Sequence, residues 1–204
     1  MTLHPRAIVS NADESDPIGP RLGRAGGRVF LASDRMNQVL IEHLAPEVWT
    51  AKPLGRTRTI AAIFTHMHNV RCKWVRLTAP HLMVPEQLKL LNRAHCTPQQ
   101  ACAGLAESAA CCAEMLAEAL GDRDGRIGNG RIGKFHRDGW APAWPVGVEM
   151  LCYMVAHEAH HRGQVCMLAH QLGFPLAKGV AEGIWNWEKL WKECGAAGLP
   201  GSRS

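Results

Sequence analysis

Between Pro145 and Leu172 apolar residues recur at helical spacing, and two histidines occupy the centre of that repeat. At about 100° per residue, Met150, Met154, Val165, Leu168 and Leu172 fall on one stripe, with His157 and His161 in its middle. Such a stripe is the side that a helix buries. Any fold of this chain must therefore place two imidazoles, stacked one turn apart, against its interior. A buried imidazole needs partners for its ring nitrogens. Two readings follow: hydrogen-bonded core histidines, or half of a site for a borderline metal such as zinc or nickel. Two successive stripe positions both being histidine favours the metal.

The remaining periodicity is also helical. Residues 29–45 carry Phe30, Leu31, Met36, Val39, Leu40 and Leu44 at helical spacing. Residues 59–79 form a second helix, with Thr59 as N-cap and a stripe of Ile60, Ile63, Met67, Val70, Trp74 and Leu77. His66 borders this stripe, whereas His68 points away from it, so His66 is the better candidate for a third histidine in a core. Residues 86–93 suggest a short helix. Thr97-Pro98-Gln99-Gln100 reads as a capping box opening a helix that runs to Leu120 and stops at Gly121. Gly128-Asn129-Gly130 signals a turn, around which a short hairpin would fit. Gly173 and Pro175 end the histidine helix, and a last helix over 178–193 carries Trp185, Trp187 and Trp191. With no alternating apolar pattern, the expected fold is all-α: a four-helix bundle with an additional C-terminal helix. One domain over 29–194 is expected, flanked by disordered tails at 1–28, which are rich in Pro and Gly, and at 195–204.

Composition excludes several classes. No apolar run is long enough to span a bilayer. The opening MTLHPRAIVSNADESDP lacks the apolar core of a signal peptide, so a cytoplasmic protein with no membrane partner is expected. The eight cysteines include no Cys-x-x-Cys pair, and Cys111-Cys112 reads as two residues of an Ala-rich helix. The formal charge of +5 is scattered, apart from Arg21, Arg24 and Arg28. No motif for nucleic-acid binding accompanies it, so no nucleic-acid partner is expected.

His157-Glu158-x-x-His161 formally matches the zincin peptidase pattern of two zinc ligands and a Glu general base. The extended form of that pattern fails, because Gln164 and Met167 stand where a Gly and a third His belong. Glu182 lies at a tolerable distance for a Glu ligand instead. A strand-rich segment ahead of the helix, which such peptidases use to hold substrate, is missing.

A wider set of residues resembles the DinB/YfiT-like family of four-helix bundles, to which metalloenzyme activity is ascribed. Thr59-Ile60, followed by His66, looks like the family's second-helix motif. His157-Glu158-Ala159-His160-His161-Arg162-Gly163-Gln164 is very close to its fourth-helix motif. Gly183-Ile184-Trp185-Asn186-Trp187-Glu188 resembles one subgroup's C-terminus. The resemblance spans about 30–192 and implies three metal ligands, His66, His157 and His161, with an open position on a divalent ion, zinc or nickel first. Three His with a vacant fourth place is the form of a catalytic zinc site. His160 is displaced from the ligand stripe and is read as a hydrogen-bonding or packing residue. Glu158 has three readings: a base, an orienting partner of a ligand, or an i+4 partner of Arg162. Gln164 borders the stripe, and Arg162 reads as a surface or interface charge.

Relatives with low-molecular-weight thiol chemistry suggest a metal-dependent thiol S-transferase or hydrolase, with a small thiol and an electrophile as partners. The alternative is a stress-associated metal-binding bundle without catalysis. The resemblance also implies a homodimer.

Overall fold

The computed structural model describes residues 18–55, 57–83, 88–121 and 131–194, with the side chains of 18–21 left aside. Four long helices make the bundle: α1 (Ile18–His43), α2 (Ile60–Thr78), α3 (Pro98–Leu120) and α4 (Val148–Gln171). Helix α1 packs on α3 and α4, and α2 packs on the same two. A two-stranded antiparallel ribbon precedes α4, pairing β1 (Lys134–Phe135) with β2 (Trp144–Pro145). Two short helices follow, α5 (Lys178–Gly183) and α6 (Trp187–Glu193). The expected all-α bundle is the observed fold.

The expected caps form. The Thr59 hydroxyl accepts from the Ala62 amide at 3.2 Å. Thr97 and Gln100 close the capping box at 3.2 and 2.9 Å. Gly173 adopts φ 87° at the end of α4, the left-handed turn that glycine makes without steric cost. The Phe174 amide then reaches back to the Ala169 carbonyl at 2.9 Å.

Several expectations need correction. Helix α1 begins at Ile18, not at residue 29, so 18–28 is no disordered tail. Its glycines serve packing. A methyl group on Gly23 would collide with the Ala117 carbonyl oxygen of α3; one on Gly26 would sit 2.7 Å from Leu120 Cδ1, and one on Gly27 3.0 Å from the Ala113 oxygen. Close helix approach, rather than chain flexibility, explains them. Residues 88–93 form no helix; α2 holds this segment as loop, through His68 to the Lys89 carbonyl (2.9 Å) and a reciprocal pair of bonds between Asn69 and Leu91 (3.1 and 2.9 Å). The turn at 128–130 lies outside the described residues, and so do 1–17 and 195–204. The ribbon lies further on, and it takes Pro145, expected to open α4, into β2. The expected last helix is broken at Asn186, whose side chain caps α6 by accepting from the Lys189 amide at 3.1 Å.

The bundle interior is divided into two apolar clusters. One gathers Phe30, Trp74, Leu116, Met150 and Met154; the other gathers Leu40, Ile60, Phe64, Leu105 and Val165. Along every long helix, buried polar residues lie between the two: Ser33, Asp34 and Asn37 on α1, His68 and Arg71 on α2, Ser108 on α3, Glu158 and His161 on α4. This polar layer crosses the middle of the bundle and carries the site.

Candidate metal centre

Two helices bring three histidines together. His66 lies in the second turn of α2, and His157 and His161 share one face of α4. One ring nitrogen from each lies within 4.8 Å of the other two. The ring centroids are 4.5 Å apart for His157–His161, 4.8 Å for His66–His161 and 5.6 Å for His66–His157. Tetrahedral zinc, with Zn–N bonds near 2.0–2.1 Å, needs nitrogens roughly 3.4 Å apart, within reach of small side-chain rotations from this arrangement. The donor chemistry also fits, because metals take neutral imidazole. Burial, with help from the Arg58, His161, His157 and Arg93 charges, pulls His66 down to about 3. Burial likewise lowers His161, against its hydrogen bond to Gln164, which acts the other way.

The His161 ring is held from behind. His161 Nδ1 lies 2.8 Å from Gln164 Oε1, which leaves Nε2 as its nitrogen for a ligand. The amide nitrogen of Gln164 lies 3.0 Å from Nε2 of exposed His160. His160 thus packs and hydrogen-bonds outside the cluster. Nδ1 of His157 is buried with no hydrogen-bond partner, and its nearest acceptor is Glu158 Oε1 at 3.7 Å. Trp74 contacts the His157 ring edge-on at 5.1 Å, and Tyr153, one turn back on α4, lies 6.5 Å away.

Glu158 settles its own role. Its side chain is 0% exposed and is gripped by Arg71, also 0% exposed, with Nε at 3.1 Å and Nη2 at 2.6 Å. Asn37 Nδ2 adds a bond at 2.7 Å. Burial pushes this carboxyl up, but the adjacent guanidinium outweighs it and holds Glu158 well below the usual carboxylate range. Arg71 spends its remaining donors on Asp34 (2.7 Å) and the Leu105 carbonyl (2.9 Å). A carboxylate fixed in this way is no general base, so the peptidase reading loses its base. It loses its Glu ligand too, since Glu182 is exposed and pairs with Lys178 at 3.6 Å.

Two smaller expectations fall. Arg162 is neither a surface charge nor the partner of Glu158; it donates to the Ser33 carbonyl (3.1 Å), the Ser33 hydroxyl (2.9 Å) and Asn37 Oδ1 (3.3 Å). His68 points into the bundle, not away from it, with Nδ1 2.7 Å from the Gly104 carbonyl. Both side chains lie on faces that only the neighbouring helices reveal. The supporting residues Arg71, Asp34, Asn37 and Tyr153 were not singled out from the sequence. Tyr153 had a signal there, since it stands four residues before His157 on the same stripe. Arg71 had one as well, four residues after Met67.

All eight cysteines are free, and burial raises the thiols of Cys111 and Cys112. No helix among the described residues is long and apolar enough to cross a membrane. The family model described as the DinB family matches residues 28–178. No curated protein and no solved structure matches the chain.

Proposed function

The chain belongs to the DinB family, and from that premise we propose that His66, His157 and His161 hold a divalent ion in a metal-dependent enzyme of the thiol S-transferase type. The observation that carries the proposal is the convergence of three imidazoles from two helices, their nitrogens within 4.8 Å of one another, in the polar layer of the bundle. Core histidines kept only for structure would be expected to satisfy each other or their neighbours. Here His157 Nδ1 has no hydrogen bond, and the three rings face one another.

A zinc or nickel ion at such a site supplies an open position where a thiol ionises more readily, or where water becomes a nucleophile. The chain's own residues set up that position. Gln164 fixes the tautomer and rotation of His161 by its bond to Nδ1. Glu158, immobilised by Arg71 and Asn37, places an anionic oxygen 3.7 Å from His157 Nδ1, on the side of that ring away from hydrogen-bonding neighbours. Trp74 and Tyr153 pack around the His157 ring. Glu158 takes no proton in this scheme, because its charge is committed to Arg71.

The test is a rate. The metal-loaded protein is incubated with several low-molecular-weight thiols and a chloro-dinitrobenzene electrophile. A rate that disappears on chelation and returns on reloading supports the enzyme. A metal-loaded protein with no rate across the thiols would instead support a non-catalytic metal-binding bundle.

A further inference from the structure

We propose that Arg137 forms a carboxylate-binding subsite at the ribbon end of the histidine cluster, so that the site takes a thiol whose carboxylate lies several bonds from its sulfur. The inference rests on the metal-site reading and names the substrate class for it.

Arg137 follows β1 and is bracketed by two tethers to α2. The His136 amide donates to the Thr78 hydroxyl at 2.9 Å, and the Asp138 carboxylate accepts from Lys73 Nζ at 3.0 Å. Between these tethers the Arg137 side chain reaches the ribbon's second strand and α4. Its guanidinium stacks over Trp144, 5.0 Å from the ring centre, and over Tyr153, 5.8 Å from that ring centre. Tyr153 stands one turn before His157 on α4, with their rings 6.5 Å apart. Trp74 packs against both, 5.9 Å from Tyr153 and 5.1 Å from His157. An unbroken run of ring contacts therefore leads from the guanidinium to His157. Arg137, Trp144, Tyr153 and His157 are each half-buried, so the run keeps an edge toward solvent.

Stacking holds a guanidinium by its face and leaves its N–H donors, which lie in the plane, for another group. Among the described residues no hydrogen bond or ion pair takes up those of Arg137. Arg35 and Arg71, by contrast, are committed to Glu42 and Glu193, and to Asp34 and Glu158. Asp138, next in the chain, is engaged by Lys73. A cation ordered by two rings and two tethers, with its donor fork unused, is preorganised for an anion. The fork grips a carboxylate with two parallel bonds, and one guanidinium balances its one charge. The two contacts in series, guanidinium to Tyr153 and Tyr153 to His157, set the length of the ligand. A sulfur at the histidines and a carboxylate at Arg137 must be joined by an extended chain.

The experiment measures 6-mercaptohexanoate and 6-mercaptohexanol by calorimetry on the zinc-loaded full chain and on its Arg137→Gln variant. Zinc content and circular dichroism are determined on every sample. The expected result is that the wild type binds the acid about tenfold more tightly than the alcohol. The variant should lose this preference while its alcohol affinity, zinc content and helicity stay the same. Equal affinities of the wild type for the two thiols overturn the subsite without recourse to the variant. A zinc-loaded variant that keeps the preference, or that weakens both thiols alike, overturns it as well. Each of these results leaves the metal site standing, whereas a chain that takes up no zinc overturns the metal site and the subsite together.

Discussion

Arg71 and Glu158 meet across the bundle at 2.6 Å with both side chains fully buried, one residue along α4 from His157. Burying an ion pair is expensive, and such pairs are often no more stabilising than apolar residues of equal size. This one has a second use. Its carboxylate lies 3.7 Å from the one ring nitrogen of His157 that nothing else satisfies. The ion pair therefore joins the fold to the site.

Breaking that pair from one side is costly. Arg71→Leu leaves Glu158 charged and buried, and is expected to lower stability by about 3–5 kcal/mol in urea unfolding. The Arg71→Leu/Glu158→Leu double variant should recover part of that loss. Equal losses in the single and double variants would show that the two side chains are not coupled.

Glu158→Gln keeps the shape of the side chain but removes its charge beside His157. Metal affinity should fall by about 10–100-fold, as when other partners of ligating histidines are altered. Competition with a chromogenic chelator measures this, with the helical circular dichroism as a control. Unchanged affinity in a folded variant would reduce Glu158 to a structural role.

The glycines of α1 make a prediction of sign. Gly→Ala inside a helix ordinarily stabilises by roughly 0.5–1 kcal/mol, and Gly163→Ala should do so, since nothing lies within 4 Å of the added methyl group. Gly23→Ala should destabilise, by about 1–3 kcal/mol, because its methyl group meets α3 backbone that cannot move aside. Urea midpoints of the two variants on opposite sides of the wild type bear this out; the same direction for both refutes it.

Acid should weaken the metal-free protein. The folded chain refuses a proton at His66 down to about 3, while the unfolded chain accepts it near 6.5. Over that window the unfolded state binds more protons, so stability falls as pH falls. Glu158, held low, acts with the same sign: its contribution is complete above the ordinary carboxylate range and is lost as pH drops through it. Melting temperatures of chelator-treated protein should decline from pH 7 to pH 4. A flat profile would contradict the buried, depressed placement of both groups.

Much of the bundle was legible because its signals are local. Thr59, Thr97, Pro98, Gln100, Gly121 and Gly173 mark helix ends by rules that operate within a few residues. The stripe through His157 and His161 showed which way those rings face. What was not legible depends on partners far along the chain. Gly23, Gly26 and Gly27 resemble a flexible tail until α3 is seen against them. His68 departs from the apolar stripe of α2, yet it is buried because α3 and the 88–91 loop offer carbonyls to it. Glu158 could be a base, an orienting group or a helix-surface partner by spacing alone; Arg71, 87 residues away in sequence, decides among them.

The most direct test of the central claim is the metal content of the purified chain, beside His66→Ala, His157→Ala, His161→Ala and His160→Ala variants, each checked by circular dichroism. The account predicts close to one divalent ion per chain in the wild type and in His160→Ala, with loss from each of the other three while helicity persists. A wild-type chain that holds no metal after reloading with zinc or nickel, or a His66→Ala variant that keeps its full complement, would contradict it.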